Sequence, residues 1–179
     1  MEEKIDDLKQ KIWITRKSRI NAEKRLINQE KLIQYLNIWY AIILSGISLY
    51  SLVYDVSKNI SIISVILSFG ITISLIYFSN QNWSIRAENM KRNYINLQSI
   101  YLELDSEEDI DNKKLKEFQN KYIEILNSCE NHKEIDYYEV MKDKDKKIYF
   151  EYIFLKIIQF LLITLYFLLP IIIIIFLRG

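Results

Sequence analysis

The sequence predicts an all-α integral membrane protein: a two-span helical hairpin with long cytoplasmic helical extensions, plus a third, C-terminal transmembrane helix. Three observations predict it. Leu32–Tyr54, Ile60–Phe78 and Ile157–Leu177 carry no Asp, Glu, Lys or Arg, although charged residues make up 26% of the 179-residue chain. Turn formers are nearly missing: there are three Gly and one Pro, and neither occurs between Gly70 and Pro170. The charged segments show heptad rather than alternating spacing. About 20 residues rising roughly 1.5 Å each cross the roughly 30 Å hydrocarbon core of a bilayer, and a sheet protein needs the turn residues that are lacking here.

The elements follow in order. Residues 1–35 read as a basic cytoplasmic helix with a weak seam at Leu8, Ile12, Thr15, Arg19, Ala22, Leu26, Gln29, Ile33 and Leu36. Its polar members make a poor autonomous coiled coil, so it is expected to pack antiparallel to the helix that follows the second span. Lacking an apolar core and a small-residue cleavage site, it is not expected to act as a cleavable signal. Residues 36–79 form the hairpin, with spans at 36–54 and 60–78 joined by Asp55–Asn59.

Residues 80–152 form a helical cytoplasmic region. Trp83, Ala87, Met90, Tyr94, Leu97, Tyr101 and Leu104 fall at strict heptad spacing, and no breaker parts them from the second span. One long helix to about Leu104 is therefore expected. The acidic run from Asp105 to Asp109 breaks it, and Asp105 with Glu108 has the spacing of a capping box. Leu115, Phe118, Tyr122, Ile125 and Cys129 form the next stripe. A second break falls at Glu130–Lys133, where Asn131 is placed to cap a helix with Glu134 three residues on. Residues 153–179 carry the third span, whose PIIIIIFL end (Pro170–Leu177) offers water no polar face.

Orientation comes from the basic residues. Arg16, Lys17, Arg19, Lys24, Arg25 and Lys31 precede the first span, Arg86, Lys91 and Arg92 follow the second, and Lys142, Lys144, Lys146 and Lys147 precede the third. The hairpin tip has Lys58 and the C-terminus Arg178. The positive-inside rule then leaves the N-terminus and residues 80–152 in the cytoplasm and the C-terminus outside. Trp39, Tyr40, Tyr50, Tyr54, Tyr77, Trp83, Tyr149 and Tyr152 lie near span ends, as in an aromatic belt.

Several functions are disfavoured. A net charge of +1 gives no electrostatic footprint for duplex nucleic acid. No Gly-rich phosphate loop, G-x-S-x-G or H-E-x-x-H motif occurs, so the chain is not expected to be an enzyme. Cys129-x-x-His132 is half a zinc site with no second half, so neither metal nor cofactor is expected. A single cysteine excludes an intramolecular disulfide.

A basic helix, a close two-span hairpin, the segment RAENMKRNYINLQSIYLEL and then KYIEILNSCENHKEIDYY together resemble the SLATT family (SMODS- and SLOG-associating two-transmembrane effector domains) over roughly residues 10–140. Arg16, Arg19 and Arg25 match before the hairpin, and Arg86, Asn93 and Leu97 after it. Tyr122, Asn131, His132, Asp136 and Tyr137 match the later motif. The third span departs from the two-span pattern. The resemblance implies a bacterial inner-membrane effector of anti-phage or other conflict systems. It also implies assembly into a homo-oligomeric pore, triggered by a nucleotide second messenger or by a nucleotidyltransferase or reverse-transcriptase partner.

Two groups of residues are candidates for that role. Asn37, Ser45 and Ser48 in the first span, and Ser61, Ser64, Ser68 and Thr72 in the second, lie largely along one face of each helix. They read either as a water-filled lumen or as small residues for close helix packing. With no charge at mid-depth, a selectivity ring of charges is not encoded. Arg16, Lys17, Arg19, Arg25, Arg86 and Arg92 read either as phosphate clamps for a signal or as attraction to anionic lipid, and Arg86 and Arg92 also read as ion-pair partners of Glu23, Glu30 or Glu88. The alternatives to a pore gated through the cytoplasmic helices are a non-conducting scaffold for a soluble partner and a holin-like lysis protein.

Overall fold

The computed structural model describes residues 1–54, 58–107 and 109–178. Six helices account for nearly all of them: α1 Glu2–Val53, α2 Lys58–Ser79, α3 Trp83–Ser106, α4 Asn112–Asn127, α5 Glu134–Met141 and α6 Lys146–Arg178. No strand occurs among the described residues. Asp55, Val56 and Ser57 of the expected hairpin turn, and Glu108 of the expected capping box, lie outside them.

The chain divides into two compact units. One comprises Met1–Asn28 and Trp83–Leu155, the other Gln29–Asn82 and Lys156–Gly179.

The first unit is built on the two seams. Leu8 and Ile12 of α1 cluster with Leu97, Ile100 and Leu104 of α3 and with Leu115 and Phe118 of α4. Ala22 and Leu26 meet Ala87 and Met90 at the other end. Early α1 positions thus meet late α3 positions and the reverse, so the two run antiparallel, as expected. Ile12 and Leu97 are wholly buried, and each such side chain contributes roughly 1.5–3 kcal/mol by leaving water. A second buried line on α3, Asn93 and Ile100, faces α4, so α3 is a shared wall.

Two local expectations fail. The long helix is interrupted, because α2 ends at Ser79 and α3 begins at Trp83, with Asn82 at φ 50° between them. Asn tolerates the left-handed region better than most residues and ends helices there without Gly. Asn131 also does not cap α5. The helix starts after Lys133, whose backbone N–H donates to Asp136 Oδ2 at 2.9 Å, while Asn131 Oδ1 accepts from His132 N–H at 3.0 Å. The cap of α4 is Asp111, whose Oδ1 accepts from Lys114 N–H at 2.7 Å.

In the second unit, α1, α2 and α6 are each long and apolar enough to cross a membrane. Each leaves one face half-buried: Ile33, Leu36, Tyr40, Ile43 and Ile47 on α1, Ile63, Leu67, Ile71 and Phe78 on α2, and Gln159, Ile163 and Phe167 on α6, where Pro170 is fully buried. Large apolar residues cover the rest, Leu49, Ile66, Phe69 and Phe160 among them, each more than 60% exposed. Water penalises such a surface and hydrocarbon does not.

Proline has no N–H, so Pro170 deprives the Tyr166 carbonyl one turn earlier of its helical donor. Tyr40 of α1 supplies one, its hydroxyl donating to Tyr166 O at 2.9 Å. Trp39 Nε1 donates to the neighbouring Phe167 O at 3.0 Å, and the Trp39 and Phe167 rings lie 6.4 Å apart. These two aromatics, read from sequence as belt residues, make their hydrogen bonds to the third span.

Candidate functional site

Several of the residues that carry the resemblance, Arg19, Arg25, Arg86, Asn93 and Asp136 among them, meet in the first unit at the two ends of the loop between α4 and α5. A polar layer separates its two apolar clusters. Arg19, only 1% exposed, comes from the α1 seam and reaches the C-terminal end of α4. Its two terminal nitrogens donate to Ile125 O at 3.4 Å and Leu126 O at 3.3 Å. Asn93 of α3 donates to the same Ile125 O at 2.6 Å and to Ser128 Oγ at 3.0 Å. Thr15 and Tyr122 hydroxyls meet at 2.8 Å on the same layer. The last carbonyls of a helix lack intrahelical donors and carry a partial negative charge. A buried guanidinium therefore completes α4 in place of solvent. Burial pushes the Arg19 pKa down from its ordinary value, with the neighbouring Cys129 opposing, yet an arginine side chain stays charged.

Across the loop, Asp136 at the start of α5 is buried and takes both Arg25 Nε on Oδ1 and a terminal Arg25 nitrogen on Oδ2 at 2.9 Å. Asn21 Nδ2 donates to the Asp136 carbonyl at 3.1 Å. Asp136 thus fastens α5 to α1 and starts α5 at once. With 15% and 3% of the two side chains exposed, this fork is screened far less than a surface pair.

The six basic candidates separate by partner. Arg19 and Arg25 are spent on the fold. Arg86 forks onto Glu130 at 2.7 and 2.8 Å with both side chains about one-third exposed, which holds its pKa above the ordinary value. Arg92 meets Glu88 one turn away at 3.3 Å, and its side chain is 73% exposed. Pairs this exposed contribute about 0–1 kcal/mol, so breaking them costs little. Lys17 lies 5.9 Å from the centroid of the Trp13 ring, which Lys144 approaches at 5.2 Å. Arg16 is half-buried, and its Nε has no hydrogen-bond partner among the described residues.

Of the remaining motif residues, Asn131 is exposed and His132 half-buried. The Nδ1 of His132 is buried without a hydrogen-bond partner among the described residues. Burial pushes its pKa below the ordinary 6.5; Asp136 opposes the shift, and Arg19 and Arg25 add to it. The folded state therefore prefers neutral His132. Its stability contribution is complete above the unfolded-state pKa and declines as pH falls from there toward the lower folded value. Melting of the wild type against His132→Gln at pH 7.5 and 5.0 checks this: the wild type should lose more of its midpoint on acidification, and equal losses would refute it. Cys129 is half-buried, and its Sγ donates to Glu130 O at 3.1 Å. No group of three or more His, Cys, Asp or Glu able to hold a metal ion occurs among the described residues.

In the second unit, Ser61, Ser68 and Thr72 of α2 are exposed and Ser64 is half-buried at the edge of the stripe. The stripe lies beside, not on, the face that α2 packs within the chain. Ser64, Ser68 and Thr72 close onto their own helix, donating to Ser61 O, Val65 O and Ser68 O at 2.8–3.0 Å. On α1, Ser45 and Ser48 are likewise exposed, whereas Asn37 is half-buried on the packed side. Sequence reasoning found the stripe by period but missed Asn93 as a ligand of α4 and Tyr40 as the partner of α6. A polar residue at a heptad flank and the proline inside an apolar span were the available signals.

Compared with known families, residues 1–176 match the model of SMODS and SLOG-associating 2TM effector domain family 5. No curated protein and no solved structure matches.

Proposed function

Because this chain belongs to family 5 of the SMODS and SLOG-associating 2TM effector domains, and is thereby a membrane effector of conflict systems, we propose that it acts as a homo-oligomeric pore. The single observation that carries this reading is the hydroxyl stripe on α2. Ser61, Ser68 and Thr72 are exposed on a face that no helix covers among the described residues. Each hydroxyl that bonds back to its own carbonyl is satisfied in lipid yet keeps acceptor capacity for water. Copies arranged around an axis would bring these stripes together as an uncharged, wettable wall, with the fully apolar faces left to lipid. The resulting channel would discriminate weakly between cations and anions, because no charge lines it.

In this reading the chain lies in the bacterial inner membrane, with its N-terminus and residues 80–152 in the cytoplasm. The trigger is a nucleotide signal or a partner protein. It acts on the first unit, and the basic groups best placed to receive it are Arg16, Lys17, Arg86 and Arg92, because Arg19 and Arg25 are committed to the fold. The trigger shifts the pore only by binding its open and closed states unequally. α1 and α6 each contribute to both units, which gives the signal a covalent route.

Purified full-length chain in liposomes under an imposed potential should pass ions once activated. Replacing Ser64, Ser68 and Thr72 with Leu should reduce the flux at least tenfold while insertion and helix content stay unchanged. Undiminished flux in the triple variant would remove the stripe from the conduction path. A protein that inserts and folds but never conducts would be a scaffold.

A further inference from the structure

The hydrogen bonds from Trp39 and Tyr40 to the third span sit at the one proline of the chain. Tyr40 lies about two turns inside the charge-free stretch that begins at Leu32. Pro170 lies deep in the stretch that begins at Ile157 and is fully buried. The Tyr166 carbonyl, bereft of its helical donor, is therefore at membrane depth, where a bare carbonyl is strongly penalised. The Tyr40 hydroxyl reaches it at 2.9 Å, and the Trp39 indole holds the next carbonyl at 3.0 Å. Ring contact between Trp39 and Phe167 adds packing to the two donors.

We propose that Trp39 and Tyr40 form a catch on α6 at the carbonyls beside Pro170, and that α6 is the element released when the membrane unit opens. The catch makes the third span an integral part of that unit. Its release is conditional. In a dry interior, parting Tyr40 from Tyr166 strands one carbonyl and one hydroxyl. With water present, both are satisfied at once. Opening of the catch and hydration of the space beside α6 therefore occur together. A helix whose ladder is already broken at one carbonyl bends there at less cost than an intact one. The release step rests on the pore reading above, whereas the catch does not.

A substitution cycle tests both in full-length protein. Pro170→Ala restores an N–H to serve Tyr166 O, and Tyr40→Phe removes only the hydroxyl. In a Cys129→Ala background, Ile163→Cys on the packed face of α6 reports water access through its rate of labelling by a membrane-impermeant maleimide in liposomes. Tyr40→Phe should speed labelling about tenfold and lower the melting midpoint in detergent by roughly 2–4 °C. Pro170→Ala should abolish both effects, so that adding Tyr40→Phe to the Pro170→Ala variant changes neither reading. Equal effects of Tyr40→Phe with Pro or Ala at position 170, or no effect with either, would overturn the catch. Ion flux rising in step with labelling supports release. Flux that stays constant while labelling rises would overturn release. A chain that conducts in no variant while the cycle stays coupled would sink the pore reading and release with it, leaving the catch established.

Discussion

Asp136→Ala is expected to unfold the first unit more readily than any single apolar truncation in it. The substitution leaves the Arg25 fork without its carboxylate in a site where 15% of that side chain reaches solvent. Breaking a buried pair by removing one partner costs about 3–5 kcal/mol, because the other charge remains. Asp136 also accepts the Lys133 N–H that opens α5, and losing that bond adds about 1 kcal/mol. For a chain of this size each kcal/mol moves the midpoint by about 2–4 °C, so a fall of roughly 8–24 °C in circular-dichroism melts is expected. Arg25→Met with Asp136→Asn should recover part of it, since no charge is then stranded and an amide at position 136 still accepts from Lys133. The charge-reversed pair, Arg25→Asp with Asp136→Arg, should recover less, because α5 then begins with a cation at its positive end. A single Asp136→Ala that melts within about 2 °C of the wild type would show that the fork contributes no more than a surface pair.

What was legible in the sequence divides along a physical line. Charge-free length and periodicity are local properties; the first gave the spans and the second both seams: Leu8, Ile12, Ala22 and Leu26 on α1, and Ala87, Met90, Leu97 and Leu104 on α3, are all buried. Partner choice is not local. Arg19 occupied a seam position that could be read as a weakness, yet its ligands are carbonyls more than a hundred residues away. Arg25 and Arg86 read as phosphate clamps or as lipid-facing charges for the same reason. Nothing in the spacing ties them to Asp136 and Glu130. The break between α2 and α3 escaped because its residue in the left-handed region is Asn82 rather than Gly. Pro170 leaves the Tyr166 carbonyl without a helical donor, but the hydroxyl that fills it, on a helix far away in sequence, becomes visible only once the helices are assembled.

The second large effect is expected at Arg19, and the sign of the introduced charge decides its size. Arg19→Met removes the side-chain donor to Leu126 O and with it the guanidinium charge at the end of α4; Ile125 O keeps Asn93 and Ser128. An unsatisfied buried carbonyl costs about 1–3 kcal/mol, and losing a partly buried cation at a helix C-terminus costs up to about 2 kcal/mol more. Arg19→Lys should retain part of this, since an ammonium keeps the charge but not the fork that reaches two carbonyls. Arg19→Glu should be the most damaging, because it sets a buried carboxylate against carbonyls that already carry partial negative charge. Relief comes only if α4 lifts away, which would expose Leu115 and Phe118 together with Leu97, Ile100 and Leu104. Amide hydrogen exchange on full-length protein separates these outcomes. Protection across Asn112–Asn127 should fall in the order Arg, Lys, Met, Glu at position 19, while exchange in α2 stays unchanged. If Met and Glu at this position protect α4 equally well, the charge of Arg19 is incidental, and its carbonyl contacts follow from packing alone.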